Sequence, residues 1–592
     1  MKQASLGLAA LTAGAHSTLA KSTPGRPNVV LVMTDDQGYG DLACHGNKNI
    51  KTPNLDKFHA GSVRLADFHV SPVCTPTRAG LMTGRCPNRV GIWHVVMGPS
   101  QLRKGEVTMG DVFSANNYKT AIFGKWHLGD NYPFRPQDRG FQETLVHGGG
   151  VVGHVPDHWL NDYFDDTYLH NGKKRKFKGY CTDIWFDEAM KFIEANRKDP
   201  FFVYLSTNAP HSPYLAPEKY VAMYRGNPKV PHAAFYGMIT RIDENFARLE
   251  QKLASLGLAD NTILIFLTDN GTAAGVRRGL GFNAGMRGAK GSSYDGGHRV
   301  PCWFRWPGGG LKGPRDVGHV TDHVDILPTL IDLCDLKPPR KINFDGRSLA
   351  PLLKDPNADW PARTMVAEKQ NVVAKPIKWR GCAVMTDRWR LVRGKELYDI
   401  QADPGQKRNV AAKHPAVVAR LRADYDKWWL SVSESHDKVT EIIIGSPHEN
   451  PSRLTCYHWN NPTGNQGLMP WGQAHIVAGP HFNGYWNLNV AEAGQYTLAL
   501  RRWPVESHLK INETSDADPP EKPFGPLNAK PLIATTARVK IQDVDETLLV
   551  AKDAEAVTFK VTLKAGPARL ETWFSDAAGN SRGAFYVHIA KL

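Results

Sequence analysis

Several short apolar runs in this chain stop abruptly at residues able to do chemistry. PNVVLVMTDD rises through Val29 to Met33 and ends on Asp35 and Asp36; YKTAIFGKWH ends on Lys125 and His127. FFVYLSTNAPH runs out near His211, and NTILIFLTDNG at Asp269 and Asn270. Runs of Val, Ile, Leu and Phe this short read as strands buried on both faces of a largely parallel sheet. The stretch Phe235 to Leu256 has apolar residues at helical spacing and few breakers, so it reads as one of the helices between them. An α/β fold follows, with its polar residues gathered at the carboxyl ends of strands, where open α/β sheets place their sites.

The texture changes twice further on. From about residue 361 to 435, WRLVRGKELYDI predicts a small antiparallel unit, followed by a helix through Ala416 to Trp429. From 440 to 592, strict alternation in YWNLNV, QYTLALRRW and VTFKVTLKAGPARLETWF predicts antiparallel strands and hence a β-sandwich. Its tryptophans (Trp459, Trp471, Trp486, Trp503 and Trp573) are expected to be core, and this domain to be mainly structural. SDADPPEKP (515–523) reads as a loop. The α/β part then occupies residues 26–360, which leaves a Leu/Ala-rich leader at 1–20, read as a secretory signal cleaved after Ala20. This predicts a secreted or periplasmic protein. Beyond it no stretch reaches the ~20 apolar residues of a membrane span.

Composition narrows the partners. A formal charge of +15 favours an anionic partner, but no nucleic-acid motif appears, and KKRKFK (173–178) reads as a solvated loop. Eight cysteines are scattered singly with no CxxC, which indicates neither a zinc ribbon nor a disulfide framework. One of them, Cys74, stands in SPVCTPTRAGLMTGR, where Pro76 pre-sets a first helical turn that Ala79 to Met82 continue. A thiol beside a helix N-terminus is open to several uses: nucleophile, metal ligand, disulfide half or precursor of another group.

Asp35, Asp36, Asp269 and Asn270 offer only hard oxygen ligands from two strand ends, each followed closely by glycine. Such a set suits Ca²⁺ or Mg²⁺ and not zinc. Lys125, His127, His211 and Lys290 supply the complementary basic groups; around one metal and one helix N-terminus they form a cage for a tetrahedral anion.

The stretch Cys74-Thr75-Pro76-Thr77-Arg78, continuing to Thr83-Gly84-Arg85, resembles the signature of the type I sulfatases, members of the alkaline-phosphatase-like superfamily, in which the cysteine is oxidised to formylglycine. Asp35 to Asp41, Gly124 to His127, Ala209 to His211, Thr268 to Gly271 and Gly288 to Gly291 through Arg299 to Pro301 match further blocks in the family's order, so the resemblance spans about Arg26 to Trp429. It departs at Asn117, where glycine is usual before Tyr118, at Asp295, where glutamate is usual, and at His298 in a variable slot. Asparagine tolerates a left-handed backbone, so the turn at Asn117 is expected to survive.

The resemblance implies an alkaline-phosphatase-like sandwich and a sulfuric ester hydrolase. A maturation enzyme converts Cys74 to an aldehyde, whose hydrate is the nucleophile. Asp35, Asp36, Asp269, Asn270 and the modified Cys74 hold one divalent ion, Ca²⁺ in preference to Mg²⁺. Arg78 holds the diol, Lys125 and Lys290 balance charge on the sulfonyl oxygens, His211 is the acid for the leaving oxygen and His127 the base or orienting partner, the two histidine roles being exchangeable. Two readings compete: a phosphonate monoester or phosphodiester hydrolase of the same superfamily, and an inactive sulfated-glycan-binding protein in which Cys74 stays a thiol. The filling of every expected catalytic position argues against the second.

A basic sulfatase with an added β-domain suggests a sulfated polysaccharide or oligosaccharide substrate. Trp93 and His94, after the helix that Cys74 begins, are candidates to face it. The insertion 147–178 is either a rim loop gripping sugar through Trp159 and anions through Lys173 to Lys176, or merely structural.

Overall fold

The computed structural model describes residues 25–372, 374–461, 469–520 and 532–592. The leader read at 1–20 lies outside these residues, as does the end of the loop at 515–523. Among the described residues no helix is long and apolar enough to cross a membrane.

Ten strands form one large sheet: β1 (Asn28–Thr34), β2 (Val63–His69), β3 (Lys119–Gly124), β4 (Glu143–Val146), β5 (Thr167–His170), β6 (Lys173–Lys176), β7 (Phe201–Ser206), β8 (Thr262–Thr268), β9 (Cys302–Arg305) and β10 (Arg315–Asp322). Their order is β10-β2-β9-β8-β1-β7-β3-β4-β5-β6. The centre is parallel, β8-β1-β7-β3-β4, as the apolar runs predict. Strand β9 runs antiparallel between β2 and β8, and the hairpin β5–β6 extends the far edge. The run Lys173–Lys176, read as a loop, is this edge strand; its exposed charges discourage further strand pairing.

Burial explains the layers. In β1, Val29, Leu31 and Met33 enter one core, while Val30 and Val32 enter another on the opposite face. The first core includes Ala79, Leu81 and Met82 from the helix Cys74–Thr83; the second takes the helices Cys181–Ala195 and Ala233–Ser255. A strand buried on both faces cannot slip by one residue without exchanging its two sets of side chains, so the register that carries the site is firmly set.

A four-stranded antiparallel sheet comes next, β11 (Met365–Glu368), β12 (Cys382–Met385), β13 (Trp389–Val392) and β14 (Glu396–Asp399), covered by the helix Pro415–Ser433. Arg390 on β13 is fully buried and reaches into the main sheet. Its Nη2 donates to both oxygens of Asp67 at 2.8 Å, and its Nε to Asp295 at 3.3 Å. His69 joins Asp67 and His298 at 3.0 and 2.9 Å. The departures at Asp295 and His298 thus belong to a buried ion-pair junction, in which a guanidinium occupies the space among the acids.

Two further sheets lie within 442–591 and share one core, in which Trp459, Trp486 and Trp503 are buried as expected, whereas Trp471 is only half-buried against it and Trp573 half-buried outside it. That core also contains Val96, Met97, Phe134 and Val155 from the loops of the first sheet. Backbone bonds stitch the seam: Met97 N to Tyr457 O at 2.8 Å, Gly98 N to Trp459 O at 3.1 Å, Val155 N to Trp471 O at 3.1 Å. Asn117 has φ +58, the left-handed turn expected of it.

Candidate active site

Because β1 and β8 are parallel neighbours with Thr34 opposite Thr268, the residues just after them meet at one sheet edge. The amide of Asp36 donates to Asp269 Oδ1 at 3.0 Å, and Asn270 Nδ2 donates to Asp36 Oδ1 at 2.9 Å. Cys74 opens its helix, with Val73 as the N-cap, and is buried. The sulfur of Cys74 and one carboxylate oxygen each of Asp35 and Asp269 lie within 4.8 Å of one another. Asp35 Oδ1 and Asn270 Oδ1 are buried and accept no hydrogen bond. Buried oxygens in that state are costly. With the carboxylates of Asp36 and Asp269 alongside, they fit a hard cation bound by oxygen.

Cations of the chain surround this cluster. Lys125 Nζ donates to Asp35 Oδ2 at 2.6 Å, Arg78 Nη2 to Asp269 Oδ2 at 2.8 Å, and Lys290 Nζ lies 2.6 Å from Asp36 Oδ1. Lys125 reaches its place because Gly124 has φ +107 and packs on Ser206: a Cβ there would lie 2.0 Å from the Ser206 carbonyl oxygen. His211 Nε2 is 3.4 Å from Asp36 Oδ2, while its Nδ1 lies 2.7 Å from the Ser212 carbonyl. A carbonyl only accepts, so Nδ1 carries a proton and Nε2 faces the site.

The environment tunes these groups. Burial, then the Asp35 carboxylate, pushes Asp269 up to about 7 despite Arg78 and Lys125. Asp36 stays well below the usual range: burial opposes its charge, but His211 and Lys290 hold it. Burial also pushes the Cys74 thiol up, against the pull of Lys125 and Lys290. His211 is pushed down to about 4 by burial, Lys290 and Lys125, with Asp36 opposing. His127 is pushed well down by burial, Lys125 and Arg78.

His127 has a neighbour that its local sequence does not reveal. Its Nε2 lies 2.6 Å from the Val95 carbonyl and 3.0 Å from the hydroxyl of Tyr457, which belongs to the C-terminal sheets. The proton is therefore on Nε2, while Thr75 Oγ1, one residue beyond Cys74, lies across the ring at 3.2 Å from Nδ1 and 3.0 Å from Nε2. Next to Tyr457 in sequence, His458 Nε2 meets Asp130 at 2.8 Å. His154, from the insertion, is also buried here, its ring 5.2 Å from that of Tyr457.

The candidates for specificity sit differently. Trp93 donates its indole N–H to Ala374 O at 3.0 Å and is 8% exposed, which leaves little ring surface for a sugar. His94 is buried, its Nδ1 accepting from the Val96 amide at 3.1 Å. Trp159 packs edge-on against Trp503 at 5.8 Å, and Lys174 pairs with Glu506 at 2.9 Å, so both brace the insertion against the C-terminal sheets. All eight cysteines are free thiols.

Known proteins resemble this chain in sequence and fold. The family profile described as Sulfatase matches residues 27–336, and that described as N-sulphoglucosamine sulphohydrolase, C-terminal, matches 289–427. The chain is 33% identical to arylsulfatase A of Homo sapiens over 378 residues, 58% of this chain and 70% of that protein. It is 31% identical to N-acetylgalactosamine-6-sulfatase of Rattus norvegicus over 364 residues, 57% of this chain and 67% of that protein. The crystal structure of Ps i-CgsB in complex with k-i-k-neocarrahexaose superposes with a TM-score of 0.63 at 27% identity, covering 70% of this chain and 95% of that one. With a profile spanning more than half its length and strand-end carboxylates, lysines and histidines gathered about one buried cysteine, the chain belongs to the sulfatase family and is a sulfuric ester hydrolase.

Proposed function

We propose that the protein hydrolyses sulfate esters of sulfated polysaccharides or oligosaccharides, with a nucleophile made from Cys74 and one divalent cation, Ca²⁺ in preference to Mg²⁺. The observation that carries this reading is the buried meeting of Cys74 with Asp35 and Asp269 amid Lys125, Arg78 and Lys290. The raised thiol supports modification: a buried Cys74 left as a thiol supplies little thiolate at neutral pH. The relatives include a sulfatase of an amino sugar and a structure holding k-i-k-neocarrahexaose, which supports a carbohydrate substrate.

Asp35, Asp36, Asp269 and Asn270 would hold the cation, which supplies charge stabilisation to the sulfate group and acidifies the nucleophile. Formylglycine, introduced by a maturation enzyme, supplies a hydrate with two hydroxyls, one to attack sulfur and one to expel sulfate afterwards. Lys125 and Lys290 face the anion with fixed positive charge, which costs no reorganisation as the ester breaks. Arg78, held by Asp269, keeps its guanidinium beside residue 74. His211 offers Nε2 to the leaving oxygen; it must first take up a second proton, which Asp36 favours and the cationic cage opposes. An entering sulfate ester offsets that cage. His127, proton on Nε2, keeps Nδ1 open as the base.

Sulfate release from defined sulfated oligosaccharides and from an aryl sulfate, beside phosphodiester and phosphonate monoester controls, tests this reading. His211→Gln is expected to slow sugar sulfates far more than an aryl sulfate, whose phenol leaves without a proton. Faster hydrolysis of the phosphorus esters, or equal losses in His211→Gln, would count against it.

Tyr457 is assigned as a positioning residue for His127. A hydrogen bond of this kind is worth about 0.5–1.5 kcal/mol net. Tyr457→Phe is therefore expected to lower kcat about three- to tenfold with little change in KM, and to move the acidic limb of the pH profile, where the base loses its lone pair. An unaltered profile with a lowered melting temperature would make the contact merely structural.

A further inference from the structure

Lys290 has cationic company that the chemistry above does not use. Lys369, just after β11, lays its half-buried ammonium against Gly291: a Cβ on that glycine would lie 2.7 Å from Lys369 Nζ. Gly291 has φ +79, and its amide donates to Pro72 O at 2.7 Å, tying this turn to the loop that leads into Cys74. Arg277 donates to the carbonyl of Lys290 from the other side, and Arg380 Nε donates to Gln370 O at 2.9 Å. Among the described residues, Lys369, Arg277 and Arg380 have no acidic partner: Asp36 is taken by Lys290, and burial pushes Glu368, next to Lys369 in the chain, up to about 8.

The surroundings register this imbalance. Burial, followed by Arg277, Lys290 and Arg380, pushes the Lys369 ammonium down. Burial, and with it Lys369, pushes His94 down to about 4 against the Val96 hydrogen bond, so this histidine is neutral and adds no further positive charge. Asn371 N donates to Trp93 O at 2.9 Å, which fixes the segment carrying Lys369 to the loop that carries Trp93. Like charges held together without an anion are costly, and an anion placed among them relieves each one.

We propose that Lys369, with Arg277, forms a second anion subsite beside Lys290, so that the preferred substrate carries a carboxylate or another sulfate next to the ester that is cleaved. This deepens the functional reading above and rests on it. Lys369, at the end of a strand of the small sheet, reads the neighbouring group while Lys290 serves the reacting one.

The test compares kcat/KM on three disaccharides: one monosulfated and otherwise neutral, one monosulfated with a uronate neighbour, and one disulfated. Wild type is expected to prefer one of the two doubly charged substrates, which identifies the second anion as carboxylate or sulfate. Lys369→Met is expected to lower the ratio of that substrate to the neutral one at least tenfold, chiefly through KM, and Lys369→Arg to recover most of it. Raised salt should shrink the same ratio. Sulfate release with no preference in wild type, or a ratio unmoved in Lys369→Met, overturns the subsite alone. No sulfate release from any of the three or from an aryl sulfate overturns the functional reading together with it.

Discussion

Cys74→Ala is expected to lose sulfate release by about a thousandfold or more, the usual scale for removing a nucleophile from a preorganised site. Cys74→Ser is expected to react once and stop. The serine hydroxyl can attack sulfur, forming a new O–S bond while the bond from sulfur to the sugar oxygen breaks and that oxygen takes a proton. What remains is a sulfated serine. Its release would require water to attack sulfur, because the second hydroxyl of an aldehyde hydrate is missing. Multiple-turnover sulfate release and intact mass after substrate exposure check both variants. Cys74→Ser should gain the mass of one SO₃ and Cys74→Ala none, with wild-type melting temperatures in each. In the wild type, the peptide containing residue 74 should carry the mass of the aldehyde in place of the thiol. Wild-type turnover by Cys74→Ser would refute the formylglycine mechanism for this protein.

Much of this site was legible because neighbouring parallel strands deliver the residues beyond their carboxyl ends to one edge. Asp35, Asp36, Lys125, His211, Asp269 and Asn270 each come after a run of buried apolar residues in β1, β3, β7 or β8, so the linear pattern already implied their meeting. Lys290 has no such run before it. Its place depends on glycine-rich turns, and the motif alone marked it. Tyr457 left no local trace: it reaches His127 through a seam formed by residues 330 positions away, in sheets whose alternation predicted only a packed domain. The same distance effect hid the Arg390 junction, since Asp67, His69, Asp295 and Arg390 meet only once β2 and β13 have found their sheets. In β6 the charges masked an edge strand, because pairing on one side leaves its lysines in water. Trp93 and Trp159 carried the residue type of a sugar platform, but the indole hydrogen bond of the first and the Trp503 contact of the second join one part of the fold to another.

Removal of the cation is expected to silence the enzyme and to change how its stability depends on pH. Without a metal, Asp35 and Asp269 lie buried together, and Asp269 titrates near 7, well above its unfolded value of 3.8. A carboxyl raised in the folded state binds a proton more tightly there than in the unfolded chain. Its contribution is fully present below the unfolded value and is lost as pH rises through about 7. Compared with Asp269→Asn, chelator-treated wild type should therefore lose melting temperature between pH 4 and pH 7. The buried histidines held down to about 4, such as His94, His211 and His298, act in the opposite direction but equally in both proteins. A divalent ion takes the place of that proton, so its stabilising effect should grow over the same interval. At a hundred times its dissociation constant, a bound ion adds about 2.7 kcal/mol. Melting curves across this pH range, with chelator and then with added Ca²⁺ or Mg²⁺, provide the check beside sulfate release. Ca²⁺ is expected to restore both stability and turnover, with oxygen ligands at about 2.3–2.6 Å in a crystal of the loaded protein, against about 2.0–2.1 Å for Mg²⁺. Asp269→Asn removes one of the paired carboxylates, and should flatten the pH dependence of the chelated protein while weakening the response to Ca²⁺. A metal-free enzyme that kept full activity, or whose difference in melting temperature from Asp269→Asn stayed constant across that window, would remove the cation from this site.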